Sequence, residues 1–325
     1  MSRRVLPTKE TAMAQKRTLA KVALLLTTLT CVALAQDESP KVHRLNMDVD
    51  RVLVYATVTE SARNRPVRGL EKKDFQIWED KVEQKIVDFS SEDVPVSVGI
   101  IFDVSGSMKD KITNAQRAAA TFFKSGTKQD EYFEVQFADR PKISSDFTND
   151  VTKLQSSLLS VPTKGSTALY DAVYLGLNKL KESNNPKKAL LLITDGEDNR
   201  SRYSFGDVRS FIREQDVQLY AIGILDPATG AGRDALAQLT DITGGRAFFP
   251  GSAFEMSDIC KKIAAELKNQ YVIGYKSTNT AKDGAWRKIR VKVSNQKGKD
   301  IASLNVRAKT GYYAPSGDGP VASKK

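Results

Sequence analysis

Histidine and cysteine are nearly missing from this chain of 325 residues, which has one His and two Cys. The single histidine, His43, stands in the N-terminal stretch before the first strand-like segment. That argues against a Ser-His-Asp mechanism in the globular part. Catalytic zinc is equally unsupported without a cluster of histidines. Cys31 falls in an export-type leader, which leaves Cys260 alone and no internal disulfide in the remaining chain. Dense basic blocks are missing too: 50 Lys/Arg against 39 Asp/Glu give a formal charge of +11, yet the basic residues are scattered. No nucleic-acid reader is implied by such a pattern. Long apolar runs are rare, and the one near the N-terminus, Val22–Leu34, is too short for a comfortable membrane span.

That run has informative flanks. Lys16, Arg17 and Lys21 precede or open it, and Ala33-Leu34-Ala35 closes it with small residues at −3 and −1. The combination predicts a secretory signal peptide over residues 1–35, cleaved after Ala35. Met13 opens a more typical signal than Met1 does. The product is expected to be exported to the periplasm, the envelope or the medium, with no integral membrane segment left after cleavage. Removing residues 1–35 takes six of the 50 Lys/Arg and one of the 39 Asp/Glu, which lowers the charge to +6. That mild excess reads as a solvated surface.

Periodicity divides the rest of the chain. "VLVYATVTE", "DFQIWED" and "KIVDFSS" are β-branched and aromatic segments separated by polar turns. From Val96 the pattern changes to alternating strands and helices. "VSVGIIF" and "ALLLIT" are near-continuous apolar runs, as in strands covered on both faces. Ile112, Ala115, Ala119 and Phe122 share one helical face, as do Met256, Ile259, Cys260, Ile263, Ala264 and Leu267. Cys260 is therefore expected to be a buried structural thiol. From Gln270 strands return in "QYVIGYKS", "WRKIRVKVS" and "SLNVRAKTGYYA". The predicted class is α/β: a doubly wound, mostly parallel sheet over residues 96–269. The N-terminal segment 36–95 and the C-terminal segment 270–315 are expected to form one small β-rich domain, because neither has enough strands alone. Residues 316–325 are expected to be a disordered tail.

Chemistry gathers where the buried strands end. In an open α/β sheet, ligands bind beyond the carboxyl ends of the strands. Asp103, Ser105 and Ser107 follow "VGIIF", Thr167 lies in "TKGSTALYDA" ahead of a helix, and Asp195 ends "LLLIT". Two carboxylates and three hydroxyls are hard oxygen donors suited to Mg²⁺ or Mn²⁺, with Ca²⁺ as an alternative. Singly, Ser105 or Ser107 would read as a helix cap and Asp195-Gly196 as a turn. Asp171 reads as a helix-dipole or capping partner outside the site, and Glu197, Asp198 and Asp226 as solvated loop acids.

"DVSGS", "GSTALYD" and "TDGED", in that order, resemble the metal-ion-dependent adhesion site of von Willebrand factor type A (VWA) domains. The flanks "GLEKKDFQIWEDKVEQKIVDFSSEDVPVSV" and "KTGYYAP" are similar to a bacterial exported subfamily of such proteins. The resemblance implies a Rossmann-like fold in which Ser105 and Ser107 bind the metal directly and Thr167 does so in some states. Asp103 and Asp195 would act directly or through water; Ser166 stands where Gly is common. The implied function is non-enzymatic: an adhesion-type module capturing a protein partner through the cation and an Asp or Glu carboxylate of that partner. Two other readings stay open, a metal-assisted hydrolase and a structural or assembly protein of the cell envelope. Export is checked by N-terminal sequencing of secreted material, which should begin at Gln36; full-length cytosolic protein as the sole mature form would contradict it.

Overall fold

The structure, a computed structural model, describes residues 51–62, 64–159, 162–225, 230–293 and 304–316. The leader, its cleavage site, His43, Asp226 and the tail after Ser316 lie outside these residues. Ser316, assigned to the tail by sequence, forms an isolated antiparallel bridge with Asp283. The described residues belong to one compact unit, Asp48–Lys325.

The first strand-like text becomes β1 (Arg51–Glu60), β2 (Phe75–Glu79), β3 (Val82–Gln84) and β4 (Ile86–Ser90). Alternation then gives way to β5 (Val96–Asp103), all eight residues of which are buried. After it come α1 (Ile112–Lys124), β6 (Glu131–Phe137), β7 (Pro141–Thr148), α2 (Val151–Leu159), α3 (Leu169–Lys179) and β8 (Lys187–Thr194). The series continues through α4 (Phe205–Arg213), β9 (Gln218–Gly223), α5 (Arg233–Ile242), β10 (Arg246–Phe248) and α6 (Ala253–Lys268). The last strands are β11 (Tyr271–Lys276), β12 (Trp286–Val293), β13 (Leu304–Arg307) and β14 (Gly311–Tyr313).

The central sheet has the order β10-β9-β8-β5-β6-β7. Its pairings are parallel except β6 with β7, which is antiparallel. Side chains alternate across β5: Val96, Val98, Ile100 and Phe102 join a core with α1, α2 and α6, while Ile101 joins one with α3, α4 and α5. Three helices on each face make the sheet doubly wound, so its strands must be apolar on both sides. Cys260 is buried in the first of these cores, and burial pushes its thiol up to about 12, which keeps it protonated and inert. Helix α3 packs very close to the sheet. A Cβ at Gly176 would sit only 2.5 Å from Ile101 Cδ1, so any larger residue there would force the buried Ile101 side chain to shift.

The strands before β5 pair with those after α6. One sheet has the order β13-β1-β11-β4 and another β14-β12-β2-β3. Both line a third core containing Val54, Ala56, Val58, Phe75, Ile77, Tyr271, Ile273, Tyr275 and Ile289. β1 pairs with β11 along Arg51–Ala56 and with β13 along Thr57–Glu60. The chain enters the α/β layer after β4 and leaves it into β11, and these two strands are themselves neighbours, with Ser90 opposite Val272. This β-module therefore meets the amino ends of the parallel strands. The carboxyl ends, where Asp103 and Asp195 stand, point away from it.

Truncation after Asn269 removes both partners of β1. Hydrogen exchange in Arg51–Glu60 should then accelerate to near-unprotected rates while β5 and β8 keep their protection. Unchanged protection in β1 would show that the N-terminal strands hold together without the C-terminal ones.

Candidate metal centre

β5 delivers Asp103 to the rim fully buried. Asp103 Oδ1 accepts the Ser105 N–H at 2.8 Å, and Oδ2 accepts the Thr194 hydroxyl at 2.6 Å. The loop after β5 is thereby tied to the end of β8. It is also tied to the loop before α3, because Lys164 N–H donates to Val104 O at 3.0 Å and Gly106 N–H to Gly165 O at 3.0 Å. Gly165 has φ +86, and a Cβ there would meet Asp139 Oδ2 at 2.6 Å. Both the left-handed backbone and the close approach demand glycine. Asp139 Oδ1 in turn accepts the Ser166 N–H at 2.9 Å, a bond that holds its carboxyl below the usual range.

The five residues predicted from the sequence fall into two groups. Asp103, Ser105, Ser107 and Asp195 form one hydrogen-bonded chain. Ser105 Oγ lies 3.2 Å from Ser107 Oγ, and the Ser107 hydroxyl donates to Asp195 Oδ1 at 2.8 Å. Thr167 reaches the same rim by its backbone: its N–H donates to Asn199 Oδ1 at 2.8 Å and its carbonyl accepts the Asn199 N–H at 3.0 Å. No side-chain bond among the described residues joins it to the other four.

Burial is the main influence on Asp103 and pushes its carboxyl up. Bonds from Ser105 and Thr194 oppose that rise, and the nearby Asp195 charge adds to it. Two buried carboxylates in one hydrogen-bonded chain call for positive charge. The remaining donors are neutral hydroxyls, so a hard divalent cation fits this set. No group of three or more His, Cys, Asp or Glu side chains gathers among the described residues. A reading that looks only for clustered charges would therefore pass this rim over.

Several residues at the rim escaped the sequence reading. Lys111 Nζ lies 2.7 Å from Asp195 Oδ2. Thr194 caps Asp103 from the residue next to Asp195. Of the acids read as solvated, Glu197 is exposed and Asp198 half-buried, and both also accept backbone bonds. Glu197 Oε1 accepts the Gly232 N–H at 2.8 Å, while Asp198 accepts the Tyr170 and Ser201 N–H groups, both at 3.3 Å. Asp171, expected to serve its own helix, turns its Oδ1 to the Arg202 and Tyr203 N–H groups at 2.9 and 3.1 Å. The Asp171 and Tyr170 bonds moor the loop after β8 to the start of α3, and the Glu197 bond moors it to the start of α5. The one sequence signal for them was their density: three acids and an Asn within a short stretch after β8.

The family model for the von Willebrand factor type A domain matches residues 97–268. The chain belongs to this family. The match runs from inside β5 to the end of α6, so the VWA domain is the α/β layer and the β-module lies outside it. Among solved structures the chain is similar to BatB from Bacteroides thetaiotaomicron, at 18% identity over 53% of this chain and 99% of that one, with a TM-score of 0.46. The vWF domain of the type V pili tip protein Mfa5 from Porphyromonas gingivalis is 12% identical over 53% and 95%, with a TM-score of 0.44. The PilB minor pilin from Streptococcus sanguinis is 15% identical over 55% of this chain and 63% of its own, at 0.45. No curated protein matches the chain closely enough to count as a relative.

Thr194→Val removes the hydroxyl that donates to Asp103 Oδ2 and weakens the pairing of a buried acceptor. The variant should lose about 1–3 kcal/mol of stability, measured by urea unfolding in EDTA. An unchanged midpoint would show that this bond contributes nothing.

Proposed function

We propose that this VWA protein is an exported binding module that captures a protein partner through a divalent cation. Asp103, Ser105, Ser107, Thr167 and Asp195 would hold the ion, with Mg²⁺ preferred and Mn²⁺ or Ca²⁺ as substitutes. An Asp or Glu carboxylate of the partner would complete its coordination. The observation that carries this reading is the hydrogen-bonded chain Asp103–Ser105–Ser107–Asp195 at the carboxyl ends of β5 and β8. When bound, the cation supplies a Lewis-acidic centre that its neutral hydroxyl ligands leave unquenched and attractive to an incoming carboxylate. The protein's part is to hold those oxygens in place.

Two further features favour a protein partner and binding over turnover. Large apolar side chains stand exposed around the same rim. Phe254, at the start of α6, is 88% exposed; Leu159, ending α2, 71%; and Tyr203, on the loop after β8, 37%. Such side chains suit the apolar centre of a protein interface. The titratable groups beside the site are committed to structural bonds: Lys111 to Asp195, and Asp171 and Asp198 to loop amides. General acid–base work needs a group in reach whose proton can move. Export rests on the leader, and no described helix is long and apolar enough to cross a membrane.

Calorimetric titration with Mn²⁺ tests the site directly. Asp103→Ala should weaken binding by roughly 10–100-fold, the usual range for groups that orient metal ligands. Capture of envelope proteins by the immobilised chain should occur in Mg²⁺ and vanish in EDTA. Equal Mn²⁺ affinity in wild type and Asp103→Ala would rule the site out.

A further inference from the structure

Lys111 lies outside the predicted ligand set yet touches it. It stands just before α1, four residues after Ser107, and its ammonium meets Asp195 Oδ2 at 2.7 Å. Asp195 Oδ1 is already engaged by the Ser107 hydroxyl at 2.8 Å. The two partners sit in different surroundings: the Asp195 side chain is fully buried, whereas that of Lys111 is 34% exposed. Lys111 is thus a cation reaching in from the solvent edge onto a buried carboxylate. Among the described residues it is the one basic side chain bonded to the Asp103–Asp195 chain.

We propose that Lys111 sets the charge of the centre, so that a loaded divalent ion keeps one uncompensated positive charge for an incoming carboxylate. The inference rests on reading the site as a divalent-cation centre. Asp103 and Asp195 bring two negative charges when ionised, and Lys111 cancels one. A dication then takes the centre from one net negative charge to one net positive charge. A single carboxylate from outside neutralises it. Without Lys111 the same ion would exactly balance the two aspartates, and nothing would be left to draw an anion in.

Lys111 therefore has opposite effects on the two ligands. It repels the dication and weakens its binding, and it strengthens the attraction of the loaded site for a carboxylate. The ammonium also occupies Asp195 Oδ2, which restrains this carboxylate from turning both oxygens onto the ion. An outer acidic lobe satisfied by protein leaves the cation more dependent on its hydroxyl ligands and on the partner. Partial exposure of Lys111 screens these effects without abolishing them.

The test uses the full chain and three variants. Lys111→Met keeps the apolar stem and removes the charge, Lys111→Gln keeps a donor for Asp195 without charge, and Lys111→Arg keeps the charge. Circular dichroism first confirms that each is folded. Mn²⁺ affinity is measured by calorimetry, and the Mn²⁺-loaded proteins are titrated with acetate, followed by the paramagnetic relaxation of its methyl protons. Lys111→Met and Lys111→Gln should bind Mn²⁺ roughly tenfold more tightly than wild type and acetate more weakly, while Lys111→Arg follows wild type in both. Mn²⁺ affinity that is equal to or weaker than wild type in both uncharged variants overturns the proposal, as does unchanged acetate binding. If wild type binds Mn²⁺ and loses it in Asp103→Ala, such a result sinks only the role of Lys111. If wild type binds no Mn²⁺, the cation centre itself falls, and this inference with it.

Discussion

The Asp103 carboxylate is shared between the loop after β5 and the end of β8. One oxygen accepts the Ser105 backbone N–H and the other the hydroxyl of Thr194, which lies 91 positions from Asp103. Because the group is buried, each bond is made in surroundings where water cannot replace it, and losing either one is expensive. The position of both serines and of Asp195 follows from that sharing. β5 and β8 are adjacent parallel strands in register, Phe102 beside Ile193. A short side chain at the end of one can therefore reach the end of the other. The sheet provides the proximity and Asp103 converts it into fixed geometry.

Around this lock lies a ring of acids and amides whose work is mooring. Asp139 holds Ser166, Asn199 holds Thr167, Asp198 holds Tyr170, and Asp171 holds Arg202 and Tyr203. Each accepts a backbone N–H from a neighbouring loop or helix start. Rim loops cannot bury much apolar surface, so they are ordered by directional bonds instead. Thr167 is positioned in this way, with α3 seated close against the sheet at Gly176. Polar residues near a site of this kind divide into those that face the ligand and those that hold the loops still.

The sequence made some of this plain and hid the rest for physical reasons. Strands buried on both faces read as unbroken apolar runs, so β5 and β8 were evident, and with them the places where oxygen side chains emerge. The edge strand β7 was not foreseen, because "PKISSDFT" pairs on one side only and keeps polar residues on the other. Helix α2 buries just Leu154 and Leu158, too little for a clear period. "SLNVRAKTGYYA" read as a single strand but splits into β13 and β14, which join different sheets. A two-residue alternation tells which face is buried and says nothing about which strand lies alongside. Lys111 drew no reading, Asp171 read as a partner of its own helix and Asp198 as a solvated loop acid, because their partners are backbone groups or residues distant in the chain.

The insertion of the VWA domain between β4 and β11 governs the order in which the molecule can be built. Arg51 pairs with Lys276 and Ser90 with Val272, so nearly every contact between the two halves of the β-module spans the whole α/β layer. In an unfolded chain those halves are the ends of a loop of roughly 180 residues, and pairing them carries the entropy of closing it. Folding of the α/β layer brings the ends together beforehand, since its first strand starts and its last helix ends on the side that faces the β-module. During synthesis β1 to β4 emerge first and must wait, with Val54, Ala56 and Val58 uncovered, until the final strands arrive. The β-module is the last part of the protein to close and the first that a partly made chain leaves exposed.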